Sequence, residues 1–163
     1  MARVDPGIGL LLEILDQAYD QKAWHGTTLR GSLRGVSPHE ALWRPKPKRH
    51  SVWELALHAG YWKYAVRRQL LGAADRGEFP RRPSNWPSVP AKSDAAAWKA
   101  DVALLDLQHV LLRDVVRRLP PSRLGQRSAK GTWTLGEMIH GVAAHDLYHT
   151  GQIQLLKRLM SGR

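Results

Sequence analysis

The chain has no cysteine among its 163 residues, which excludes disulfides, thiolate-bound zinc and a cysteine nucleophile. Any sulfur chemistry must therefore arrive with a cosubstrate. Acidic side chains are few, 14 against 25 Lys plus Arg, and Phe occurs once although Trp occurs seven times. No apolar run approaches the roughly 20 residues that span a bilayer. The charged start, with Arg3 and then Asp5-Pro6, does not read as a secretory leader. The expectation is a cytoplasmic protein with no membrane partner. Alternating apolar and polar residues, the mark of a half-buried strand, are also missing, so no segment competes with helical periodicity.

The excess of cations gives a net charge of +11, enough to raise the question of nucleic acid. The basic residues are spread along the chain, in local groups at Arg44 to Arg49, Arg67-Arg68, Arg81-Arg82 and Arg117-Arg118, and no nucleic-acid-binding motif accompanies them. Specific nucleic-acid binding is not expected.

Apolar residues recur at helical spacing in four long segments. The first covers residues 6–24, with Ile8, Leu11, Leu12, Leu15, Ala18 and Tyr19 on one stripe after an Asp5-Pro6 start. Ser37-Pro38-His39-Glu40 reads as a capping box opening a short turn that ends near Trp43, and Pro45 and Pro47 keep 44–49 a loop. A second capping box, Ser51 to Glu54, launches a helix to about Leu71. Residues 72–90 hold prolines at 80, 83, 87 and 90 and read as a long irregular crossover, tethered by Phe79 and Trp86. The third long helix is expected from near Ser93 to just before Pro120, with Ala97, Leu104, Leu105, Leu111, Leu112 and Val115 on its inner stripe. A third capping box, Thr134 to Glu137, opens a last helix through Met160, with Lys157 and Arg158 at its negative end. The fold expected is all-α: a single domain over 1–163, built as a four-helix bundle with a long crossover between the second and third long helices.

His145 and His149 lie one turn apart on the apolar stripe of the last helix, with Leu135, Met138, Val142, Ile153, Leu156 and Met160. His58 lies on the corresponding stripe of the second long helix with Leu55, Trp62 and Val66. Each alone reads more readily as a hydrogen-bonded core residue. Together they would leave six ring nitrogens to satisfy, and one divalent cation occupies three of them. Three neutral imidazoles without a carboxylate make an open site with positions left for water or substrate, suited to zinc or nickel. His140, roughly 140° round the helix from His145, should face away from such a site. Asp146 reads mainly as a solvated surface carboxylate, with orientation of a ligand as the alternative. Tyr148 and Gln152 flank the stripe and can line a pocket, and Trp62 can wall it. Gly151 suggests close helix packing, and His25, His39, His50 and His109 read as surface or edge residues.

Two stretches resemble the DinB-like metalloenzyme family, which includes thiol-dependent S-transferases. Residues 51–58, Ser-Val-Trp-Glu-Leu-Ala-Leu-His, are similar to the block leading to the family's first ligand histidine. Residues 145–153, His-Asp-Leu-Tyr-His-Thr-Gly-Gln-Ile, are similar to the block carrying the other two, and weaker similarity runs from about Leu10 to Met160 through Trp43-Arg44-Pro45. The resemblance implies a four-helix bundle, a homodimer, and a divalent metal held by His58, His145 and His149. It also implies a small-molecule substrate with, in some members, a low-molecular-weight thiol as cosubstrate. A metal-dependent hydrolase and a noncatalytic stress-response metal-binding or interaction module stand as alternatives.

Overall fold

The computed structural model describes residues 4–72, 77–128 and 131–162; residues 73–76 of the expected crossover lie outside them. Among the described residues the chain is all-helical, with α1 Pro6–Tyr19, α2 Leu29–Ser32, α3 Pro38–Leu42, α4 Val52–Leu71, α5 Ala95–Arg118 and α6 Leu135–Ser161. A short 3-10 turn, Pro121–Arg123, follows α5. All three capping boxes form, with Ser37, Ser51 and Thr134 each accepting from the backbone N–H three residues on and each Glu reaching back. These exchanges satisfy N–H groups that the helix itself leaves unpaired, so the chain marks its own helix starts.

α1 ends at Tyr19 and not at Trp24. Asp16 and Asp20 place carboxylates at the negative end of the helix. The Asp16 carbonyl accepts from both Asp20 and Gln21, at 3.0 and 2.9 Å, which closes the last turn. Trp24 is left fully exposed. The glycine-rich stretch beyond it holds one unexpected turn, α2, where Thr28 accepts from the Gly31 N–H at 3.1 Å. No described helix is long and apolar enough to cross a membrane.

α4 packs on α5 and α6, and α1 packs on the same two helices. Two apolar clusters fill the space between them, one around Trp53, Leu57, Leu105 and Ile153 and the other around Leu15, Leu70, Leu112 and Ile139. The inner face of α5 is rotated slightly from the expected stripe: Leu104, Leu105 and Leu112 are buried, but Trp98, Asp101, Gln108, His109 and Val116 take the remaining inner positions. Ala97, Leu111 and Val115 are only half-buried. His109 is therefore a core residue, 4% exposed, and not an edge residue. Its ring stacks on Tyr19 at 3.9 Å, and Nε2 lies 3.5 Å from an Asp16 carboxylate oxygen.

Asp146 departs further from expectation. It is wholly buried and ion-paired with Lys63 of α4, itself wholly buried. The helix turn that aims His145 at one part of the interior aims the next residue at α4, which is why a position reading as surface carries an internal charge. Burial pushes the Asp146 carboxyl up to about 6, opposed by the Lys63 ammonium beside it. The Lys63 ammonium also sits 4.8 Å from the Tyr19 ring centre, a favourable cation–π placement.

Removing one member of this pair leaves the other charged in apolar surroundings. Asp146→Ala should lower unfolding stability by about 3–5 kcal/mol, read as a drop in urea midpoint. The double variant Lys63→Met, Asp146→Leu should recover most of that loss, since well-packed apolar side chains replace a buried pair at little cost.

Candidate metal centre

His58 enters the interior from the second turn of α4, and His145 and His149 from the middle of α6. His58 and His149 are 6% and 4% exposed. The three rings present one nitrogen each to a common point: His145 Nε2 lies 3.2 Å from His58 Nε2 and 2.9 Å from His149 Nε2. One ligand atom from each lies within 4.8 Å of the others, an arrangement that can hold a metal ion.

The far sides of two rings decide which nitrogens carry protons. His58 Nδ1 lies 2.6 Å from the Asn85 carbonyl oxygen, which only accepts, so Nδ1 donates. His149 Nδ1 donates in the same way to Gln152 Oε1 at 2.6 Å. In the neutral rings both Nε2 atoms are then bare lone pairs. Only His145 can place a proton between the rings, and one proton serves one of the two contacts. The remaining contact then has no proton to bridge it, and with the His145 proton on Nδ1 both contacts set lone pairs face to face; a divalent cation at the common point relieves either arrangement. With metal–nitrogen bonds of about 2.0–2.1 Å, neighbouring ligand nitrogens on one ion sit roughly 3–3.4 Å apart, close to the distances observed. The donor set therefore fits a divalent cation.

Burial keeps the rings neutral. It pulls His58 down to about 4, with the Asn85 carbonyl opposing and His149 adding to the shift. His145 falls to about 3, through burial and then its neighbours His149, His58 and Lys63. His149 is lowered for the same first reason. Unprotonated imidazole is the form that ligates.

The crossover supplies the supports. Asn85 has a left-handed backbone, φ 68°, a conformation Asn adopts more readily than most residues. It gives His58 its carbonyl while its side-chain oxygen accepts from Trp62 Nε1 at 3.0 Å. Trp86 stacks flat on His58, ring centres 3.7 Å apart and planes within 8°. Phe79 is buried as the expected second tether. Trp62 walls the site as expected, and Gln152 does more than line it, since it fixes the His149 tautomer.

An apolar cavity of about 670 Å3 opens beside His58 and His145, walled by Trp62, Val66, Trp133, Met138 and Val142. His140 is exposed and lies on the cavity's rim, outside the histidine cluster. Gly151 does not mark close packing: it is exposed, and a Cβ built there meets nothing within 4 Å. His25 and His39 are surface residues as expected. Sequence reasoning did not find Asn85, because nothing in a proline-rich loop reveals which carbonyl will reach a ring 27 residues away.

The lowered histidine values carry a stability consequence. The unfolded chain takes up protons on these rings near pH 6.5, and the folded chain resists until about pH 4 and 3, so stability is intact above pH 6.5 and drains away as the pH falls. Chelator-treated protein should show a falling urea midpoint from pH 7 to pH 5, and His58→Asn with His145→Asn should make that slope shallower, the buried His149 and His109 keeping part of it. A midpoint constant over this range would contradict the assigned protonation states.

The description of the DinB superfamily matches residues 21–153. No curated protein and no solved structure matches the chain. The matched span takes in α2 to most of α6 and all three converging histidines, and on that ground the chain belongs to the DinB superfamily.

Proposed function

We propose that the chain is a metal-dependent enzyme that holds one divalent cation through His58, His145 and His149 and acts on a small molecule seated in the adjoining apolar cavity. The observation that carries this reading is the convergence of three neutral imidazole nitrogens, two with their tautomers set by hydrogen bonds, on the wall of a cavity large enough for a ligand. When bound, such an ion supplies a Lewis-acid centre that acidifies a coordinated water or thiol. Zinc and nickel suit the donor set. The four long helices, read as a four-helix bundle with a crossover between α4 and α5, suit the reading because facing helices of a bundle build such sites from inward side chains.

The chain's own residues have separable tasks. Asn85 and Gln152 hold the ligand rings in orientation, and interactions of this kind are worth about 10- to 100-fold in metal affinity. Trp62, Trp133 and Met138 present an apolar surface to an uncharged substrate. No protein thiol is present, so in the S-transferase version of this reading the sulfur comes from a low-molecular-weight thiol. The homodimer implied by the family belongs to the same proposal; Leu107 and Val110, exposed one turn apart on α5, are apolar positions for a partner to cover.

Tag-free protein should carry about one divalent ion per chain, read by elemental analysis. His145→Ala with His149→Ala should abolish the ion, and His140→Ala should retain it. Unchanged metal in the double variant would refute the ligand set. Conjugation of electrophiles should require both thiol and metal, whereas thiol-independent ester or amide hydrolysis by loaded protein would select the hydrolase. Sedimentation at micromolar concentration should give twice the 18.4 kDa chain mass; the single-chain mass alone would rule out the dimer.

A further inference from the structure

Two separate clefts reach the histidine cluster, one apolar and one basic. The apolar cavity borders His58 and His145; its lining includes one carboxylate, Glu137, and no Lys or Arg. A second cleft of about 640 Å3 borders His149 and shares no lining residue with the first. Lys46, Lys48 and Arg49 line it, and no carboxylate does. The crossover divides the two. Asn85 faces the cavity, and the next residue, Trp86, faces the cleft, with His58 stacked on one face and His50 on the other at 3.7 and 3.5 Å.

The basic side of the cleft is uncompensated. Arg30, Arg44, Arg81, Arg82, Arg113 and Arg118 each pair with a carboxylate, whereas among the described residues none lies within ion-pair distance of Lys46, Lys48 or Arg49. The loop that carries these three cations is held in shape. Arg44 bridges Glu54 and the Arg49 carbonyl, the latter at 2.9 Å, and the Arg49 N–H donates to the Lys46 carbonyl at 3.2 Å. α6 gives the cleft an apolar wall, with Leu155, Leu156 and Leu159 lining it beside Tyr148. Three unpaired cations and an apolar wall complement a ligand with an anionic head and an apolar body.

We propose that this cleft binds a small organic anion, a carboxylate or phosphate ester with an apolar body, beside His149, while the apolar cavity takes an uncharged ligand beside His58 and His145. The cluster is thereby a meeting point for two ligands of different chemistry entering from separate sides. The proposal deepens the metal-centre reading by giving it two reactants, one of them anionic.

The test uses isotope-labelled full-length protein, with metal content measured on the same samples, titrated with phenyl phosphate, phenylacetate and uncharged benzyl alcohol while amide resonances are followed. Both anions should shift amides of residues 46–50 and 148–152 saturably, and benzyl alcohol should shift those of Trp133 and Gly141. The triple variant Lys46→Glu, Lys48→Glu, Arg49→Glu should weaken both anions at least about tenfold and leave benzyl alcohol binding and metal content unchanged. If the triple variant fails to fold, Lys48→Ala and Arg49→Gln made singly should each weaken the anions and spare benzyl alcohol. Unchanged anion affinity in folded variants overturns the proposal, as does one shared set of shifted amides for charged and uncharged probes. Cleft amides that respond to protein concentration and not to anion also overturn it, and assign the cleft to a second copy of the chain. Metal absent with the discrimination between probes intact defeats the metal-centre reading alone; metal bound with no discrimination defeats this inference alone.

Discussion

The ion pair between Lys63 and Asp146 ties α4 to α6 at the level of the histidine cluster, and the geometry of the site depends on it. Lys63 is five residues beyond His58 on α4, and Asp146 follows His145 directly on α6. Both charges are wholly buried. A slip of either helix along the other would strand a charge in apolar surroundings, at a cost of several kcal/mol, whereas a slip of purely apolar faces costs far less. The pair thus sets the relative register of the two helices that carry all three converging imidazoles. Net stabilisation is a separate matter, because desolvating two charges consumes most of what their attraction returns.

The crossover completes what the helices begin. Left to α4 alone, the His58 ring would be free to choose its tautomer and its rotation. The Asn85 carbonyl settles the first and the stacked Trp86 the second. On α6 the same task falls to Gln152, three residues from His149 and so within reach on the same helix. His145 has no such support among the described residues: its Nδ1 is buried without a hydrogen-bond partner. The cluster is therefore two rings oriented by hydrogen bonds and one held by packing.

The environment of the cluster favours the neutral form of the rings and limits the approach of water. Desolvation is the first cause of each histidine's lowered value, and the aromatic walls that produce it also shape the cavity beside it. On the other side, three cations around a held loop produce surroundings of opposite kind. The dispersed positive charge that gave no sign of a nucleic-acid motif has at least one local concentration, next to His149.

The sequence by itself determined the four long helices and their starts, though not the short α2. Apolar spacing and three capping boxes are local properties, read within a turn or two, and all three boxes form where their residues lie. It also placed His58, His145 and His149 on inward stripes, because helical periodicity alone assigns a face. The limits of that reading follow from the same cause. Asp146 and His109 read as surface or edge because residue type outweighed position, and a neighbour on another element, Lys63 for one and Tyr19 for the other, accounts for their burial. Gly151 reads as a packing point, although that face of α6 is open. Only the tertiary structure decided which carbonyl orients His58, which lysine meets Asp146, and that two clefts of opposite character border one cluster. Those are contacts between residues 27 to 83 positions apart, and no local pattern encodes a partner at that distance.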